Sequence, residues 1–158
     1  MHSLKLTFKA VESNGWPKLL FSINDDLIED YHFNNELGEV IIPIDLLDGN
    51  HILSIELYDK TGSQYVELLD MYVDNILLPN MYKWLGIYKF NNQEYPQALR
   101  WECNGIWNFN FQTPLVTWML DVKIANEEKY TIPDQTFEER MIAEQIRIKF
   151  FEEQLSKI

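Results

Sequence analysis

Between residue 4 and about residue 124 the apolar residues of this chain recur at every second position. The runs are broken at short intervals by Asn14-Gly15, Asn24-Asp25, Asp48-Gly49-Asn50, Gly62-Ser63, Pro79-Asn80, Asn91-Asn92 and Asn104-Gly105. Period two is the repeat of a strand with one buried face, and Asn, Asp and Gly accept the backbone conformations that tight turns demand. Many short strands at this spacing, with no helical stretch between them, predict an antiparallel sandwich or barrel rather than a parallel α/β sheet. The expected strands are residues 4–11, 18–23, 39–44, 52–59, 65–78, 82–90, 98–103, 106–112 and 116–124. The fold class expected is mostly β: an antiparallel, jelly-roll-like β sandwich of about eight or nine strands, with one C-terminal helix.

Alternation also assigns faces. Leu53, Ile55 and Leu57 should point inward with Ser54 and Glu56 outside, and Val116, Trp118, Leu120, Val122 and Ile124 form a second inward set, which places Trp118 in the core. For the last hairpin a three-residue loop, Cys103-Asn104-Gly105, would pair Trp101 with Trp107 and gather Leu99, Trp101, Trp107, Phe109 and Phe111 on one face. A two-residue loop would mix polar and apolar side chains on both faces.

From Asp134 the period changes. Pro133 closes the strand region, and Thr136-Phe137-Glu138-Glu139 fits a capping box, so a helix of about 22 residues should run to Ile158. The chain thus divides into a sandwich, residues 1–132, and an amphipathic docking helix, residues 133–158. The helix carries two apolar stripes. Phe137, Met141, Ile148, Phe151, Leu155 and Ile158 fall in one sector, and Ile142, Ile146 and Phe150 step by four along another. A helix lying on its own domain needs one stripe; the second wants a protein partner or a symmetry mate. The expected partner-binding residues are therefore Ile142, Ile146, Phe150, Met141, Ile148, Phe151 and Leu155.

Composition narrows the function. The net charge of −12 and the lack of any Lys/Arg run set nucleic acid and anionic membranes aside as partners. The single cysteine, Cys103, forms no intramolecular disulfide, and no apolar run resembles a signal peptide or a membrane span. The expected location is a virion or the host cytoplasm. No nucleophile-base pair, phosphate loop or serine elbow can be assembled, so the chain is expected not to be an enzyme. The acidic run at residues 24–30 lacks the spacing of a calcium-binding EF-hand loop and reads as a solvated turn. Trp16, Trp84 and Tyr72 are the candidates for stacking on a sugar ring, and Asn108, Asn110 and Gln112 form a polar row able to hydrogen-bond a glycan.

The segment DLLDGNHILSIELYDKTG, followed by YVELLDMYVDNILL, resembles the jelly rolls of carbohydrate-binding modules, most closely the calcium-dependent xylan-binding type. The residues themselves call for no cofactor; the resemblance adds calcium as the one candidate, with Asp70 and Asp74 as matching ligands and Asp59 joining from the loop side. The preceding loop, Thr61-Gly62-Ser63-Gln64-Tyr65, is poorer in oxygen ligands than that family's. Four strand residues also separate Asp70 and Asp74 by about 13 Å. By parity Leu69, Met71 and Val73 face one way and Asp70, Tyr72 and Asp74 the other.

In overall style the chain resembles small accessory proteins of tailed-phage virions. The leading expectation is a noncatalytic assembly protein of a phage tail, neck or capsid that docks through its C-terminal helix. The alternative is a carbohydrate-binding module, with or without calcium.

Overall fold

The described residues form eleven strands and three helices, in the order β1 (His2–Val11), β2 (Lys18–Ile23), β3 (Asp26–His32), β4 (Leu37–Ile44), β5 (Gly49–Tyr58), β6 (Tyr65–Val73), β7 (Ile76–Leu77), α1 (Asn80–Lys83), β8 (Ile87–Phe90), β9 (Gln93–Pro96), β10 (Arg100–Trp101), β11 (Gly105–Thr113), α2 (Leu115–Glu128) and α3 (Phe137–Ser156). This is a computed structural model, and it describes residues 2–128 and 137–156. One sheet has the order β10-β6-β1-β4 with β7 added beside β6; the other runs β3-β2-β5-β11-β8-β9. Neighbouring strands pair antiparallel throughout. The chain is therefore the antiparallel sandwich that its alternation predicts.

Between the sheets lie Leu6, Phe8, Leu19, Phe21, Leu53, Ile55, Leu57, Trp101 and Trp107, all fully buried. Each such side chain contributes about 1.5–3 kcal/mol relative to exposure. An aromatic row crosses this interior: Trp101 stacks on Tyr88 at 5.4 Å and meets Trp107 at 5.8 Å, and Trp107 stacks on Phe109 at 5.4 Å.

Paired Asx residues close three hairpins. Asn24-Asp25, Asp74-Asn75 and Asn91-Asn92 all have positive φ at both positions, the geometry of a type I′ turn, which short polar side chains tolerate best. The first turns the run at residues 24–30, expected as a solvated turn, into a hairpin turn and most of the edge strand β3, which is largely exposed and bulged at Ile28. The second interrupts the strand expected over residues 65–78, so that β6 stops at Val73 and β7 folds back upon it.

Four further expectations are corrected. Thr7 faces Asp70 while Phe8 faces Leu68, leaving Leu69 as a bulge in β6. One unpaired residue reverses the parity, so the inward set is Val66, Leu68, Met71 and Val73, without Leu69. The Leu69 carbonyl accepts a hydrogen bond from the buried Lys83 ammonium at 2.5 Å. The hairpin of Trp101 with Trp107 does not form, because β10 pairs with β6 in the opposite sheet. The two indoles meet across the interior instead of side by side. The strand expected over residues 82–90 is cut short: Tyr82 and Lys83 end the helical turn α1, whose entry Pro79 presets, and only Ile87–Phe90 forms a strand, β8.

The strand expected over residues 116–124 is the helix α2. Pro114 stands just before it, and the Trp118 N–H already bonds to the Pro114 carbonyl at 3.1 Å. The residues it buries fully are Leu115 and Met119, four apart, while Trp118, Leu120 and Val122 are half-buried. A short apolar run satisfies both periods, and here the helical one prevails.

The C-terminal helix forms as α3. Phe151 joins the core and Leu155 packs against it. The Lys123 ammonium of α2 lies 5.1 Å from the Phe151 ring centroid, and Arg147 reaches Glu127 at 3.5 Å. Ile148 is half-buried, whereas Ile146 and Phe150 are exposed by 64% and 59%. The described members of the two stripes thus separate: Ile148, Phe151 and Leu155 lie on the packed side of α3, and Ile146 and Phe150 face solvent. Met141 and Ile142 lie on α3 with side chains outside the described residues, as are the capping box at Thr136 and the boundary between residues 132 and 133.

Candidate functional site

At one end of the sandwich β5 begins, β11 ends, and α2 starts over the opening. The ladder sets Asn110 opposite Ile52, Phe111 opposite His51 and Gln112 opposite Asn50. Alternation therefore turns Asn50, Ile52, Asn110 and Gln112 to the outer face, with His51 and Phe111 at the inner rim. Together with Asn24 and Trp118 these residues line an open cleft of about 440 Å³.

The base of the cleft is fixed by a hydrogen-bond network. Asn24 Oδ1 accepts the Ile52 N–H at 3.0 Å, which orients its amide nitrogen toward His51 Nδ1 at 2.8 Å. His51 Nδ1 is then the acceptor, and its Nε2–H serves the Leu47 carbonyl at 2.8 Å and the Thr113 hydroxyl at 3.0 Å. The Thr113 hydroxyl donates in turn to Leu47 at 2.7 Å. Gly49, with φ of 137°, supplies the backbone conformation by which the chain swings into β5 beside this network.

The wall is aromatic. The Trp118 ring stands edge-on to Phe109 at 5.7 Å and to Phe111 at 6.4 Å, and the His51 ring lies 5.5 Å from Phe111. Trp118 thus terminates the aromatic row of the core and presents its half-buried ring at the rim. Edge-to-face packing of this kind holds a ring in one orientation.

Against that fixed frame, the side-chain amides of Asn50, Asn110 and Gln112 have no hydrogen-bond partner in the protein, among the described residues. Each offers two N–H donors and a carbonyl acceptor. Asn108, the remaining member of the row, is taken by the Ser54 hydroxyl at 2.8 Å. Among the described residues, no Asp, Glu, Lys or Arg lines the cleft. A neighbouring cleft of about 420 Å³ shares Asn24 and carries Asp26 and Asp45.

The residues expected from sequence to meet sugar are placed apart. Trp16 packs half-buried in the β1–β2 connection, Trp84 caps α1 with 48% of its surface exposed, and Tyr72 lies on the outer face of the five-stranded sheet beneath the Lys5 ammonium, 4.3 Å from its ring centroid. None of the three lines the cleft. Trp118, expected in the core, does. A helical reading of residues 115–122 sets Trp118 at the edge of the stripe formed by Leu115, Met119 and Val122, where a ring is half-buried rather than enclosed.

The three expected calcium ligands are likewise separated. Asp70 sits opposite Thr7, and Asp74 donates its backbone N–H to Ser3, four ladder positions away, or about 13 Å. The bulge at Leu69 precedes this interval and does not shorten it. Asp59 follows β5 beside Lys60, which bonds Asn104, and Thr61, which bonds Ser13. That is the end of β1 opposite to Asp74, roughly 25 Å away along the strand. The Asp74 carboxylate is also already occupied by His2 and Ser3. Calcium takes six to eight oxygens at bonding distance, and no group of three or more His, Cys, Asp or Glu is placed to hold a metal among the described residues. The acids implied by the resemblance do not fit the ion.

No protein-family model and no curated protein matches this chain. Its fold is similar to two solved structures of vCBM60, a calcium-dependent carbohydrate-binding module. A selenomethionine form aligns at a TM-score of 0.52 and 12% identity, over 69% of this chain and 90% of that one. A complex of vCBM60 with galactobiose aligns at 0.52 and 12%, over 68% and 98%. The class defined here is a two-sheet antiparallel β sandwich like that of vCBM60, and at this identity the likeness is one of fold. No helix among the described residues is long and apolar enough to cross a membrane.

Proposed function

We propose that this chain binds a carbohydrate without acting on it, in the cleft between β5, β11 and α2. The observation that carries the reading is the set of unpaired amides of Asn50, Asn110 and Gln112 beside the fixed ring of Trp118. Amides match the paired donor and acceptor character of sugar hydroxyls, and an aromatic ring covers the apolar C–H surface of a pyranose. The fold supports the reading, since the sandwich of vCBM60 holds galactobiose. The test is calorimetric titration of a neutral saccharide panel, galactobiose included, into the full chain and into Asn110→Ala/Gln112→Ala. Both side chains are exposed and unpaired, so the double variant should keep its melting temperature and lose about tenfold or more in affinity. Unchanged affinity in that variant refutes the site.

A second reading is assembly through α3, as a component of a larger particle such as a phage virion. The exposure of Ile146 and Phe150 on a helix already docked by its other side favours a protein partner there. Light scattering decides it: an assembling protein should lose its higher mass in Ile146→Asp/Phe150→Asp, and a mass equal to one chain for both proteins removes self-assembly.

A further inference from the structure

Resting on the carbohydrate reading, we infer that the ligand class is a neutral saccharide, bound without a metal ion. Hydrogen bonding in the cleft comes from amides, and its apolar contact from Trp118, Phe111 and Ile52. A uronate would bring a carboxylate to a site that no Lys or Arg lines among the described residues, beside Asp26 and Asp45 of the adjoining cleft and on a chain of net charge −12. Burying such a charge unpaired is costly. An amino sugar would meet the converse defect, since no carboxylate lines the cleft to receive its ammonium. The lining also lacks the anionic oxygens that a calcium-bridged sugar needs. Asp59, Asp70 and Asp74 lie elsewhere, with Asp74 engaged by His2 and Ser3.

Two properties follow from amide recognition. Affinity should be flat with ionic strength, because no ion pair is there to be screened. It should also be the same with calcium and with chelator.

The experiment titrates the full chain with galactobiose, cellobiose and xylobiose as neutral probes and with digalacturonate and diglucosamine as charged ones. Each is run in millimolar calcium and again in chelator, at low and high salt. The expected result is a neutral disaccharide bound equally under all conditions and about tenfold or more tighter than either charged probe. Gln112→Glu, at an exposed and unpaired position, should shift the ranking several-fold toward diglucosamine.

Loss of binding in chelator overturns the metal-free part of the inference. Equal or tighter binding of a charged probe overturns the neutral class while leaving the carbohydrate reading intact. An unchanged ranking in Gln112→Glu shows that the ligand sits elsewhere. Binding of none of the probes, with or without calcium, removes the carbohydrate reading itself and this inference with it.

Discussion

Asp74 and His2 meet at the β6–β7 turn, with the carboxylate Oδ2 2.5 Å from the imidazole Nδ1, while Oδ1 accepts the Ser3 backbone N–H at 2.8 Å. An acid expected to be an outward ligand instead ties the start of β1 to a type I′ turn. Its backbone, at φ of 50°, is one that Asn and Asp adopt more readily than other L residues.

Asp74→Asn should therefore destabilise the chain by about 1 kcal/mol at neutral pH, through loss of the charge-assisted bond, and Asp74→Ala by about 2 kcal/mol because strain is added. Partial burial raises the Asp74 carboxyl, but the bonds from His2 and Ser3 outweigh that and hold it below its ordinary 3.8. A carboxyl depressed in the folded state contributes stability above its unfolded value and loses it as pH falls through the folded one. Urea unfolding in a series downward from pH 7 should show the deficit of Asp74→Asn intact to about pH 4 and fading below. A deficit that stays constant or grows on acidification contradicts the account.

Gly86 lies against the indole of Trp107: a Cβ there would stand 2.1 Å from Cε2 and 2.3 Å from Nε1. Trp107 is fully buried in the aromatic row and cannot move aside without disturbing Trp101 and Phe109. Gly86→Ala should cost about 1–3 kcal/mol by overpacking, read as a lowered urea midpoint. No loss of stability would mean that this approach is looser than described.

Adjacent phenylalanines on α3 separate docking from exposure. Phe151 is 6% exposed and Phe150 is 59%. Phe151→Ala should destabilise by about 3 kcal/mol, whereas Phe150→Ala should fall within about 0.5 kcal/mol in the isolated chain. Equal effects in thermal melts would show that α3 does not rest on α2 through this side.

On the outer face of the six-stranded sheet the Tyr58 hydroxyl donates to the Asp30 carboxylate. That bond, with a smaller contribution from desolvation, raises the phenol to about 12. A phenol raised on folding contributes stability in full below its unfolded value of 10.0, and this is lost as pH rises toward the folded one. Spectrophotometric titration should find one tyrosine near that value, and Asp30→Asn should bring it back toward 10.0. A phenol that titrates identically in both proteins contradicts the bond.

The sandwich was legible wherever one buried face imposed strict alternation, as at Leu53, Ile55 and Leu57 or along Trp107, Phe109 and Phe111. It was illegible where local geometry broke the period. The bulge at Leu69 changes parity in the middle of a strand, and Asp74-Asn75 forms a turn without glycine inside an apolar run. The edge strand β3 buries too little to show a pattern. The candidate site suffered most, because Val116, Trp118, Leu120 and Val122 satisfy a strand period as well as Leu115, Trp118, Met119 and Val122 satisfy a helical one. Choosing the strand put Trp118 in the core and left the amides of Asn110 and Gln112 without their aromatic wall. The two stripes of α3 were visible because a helix this long repeats its period several times.

The most direct test of the proposed carbohydrate site is a heteronuclear NMR titration of the full chain with the tightest neutral disaccharide, carried out in chelator. The side-chain amides of Asn110 and Gln112 and the indole N–H of Trp118 should shift together along one saturation curve, with Trp16, Trp84, Tyr72 and Asp70 unmoved. Shifts centred on Trp84, Tyr72 or Asp70, with the Trp118 indole silent, would place the ligand elsewhere and contradict the account.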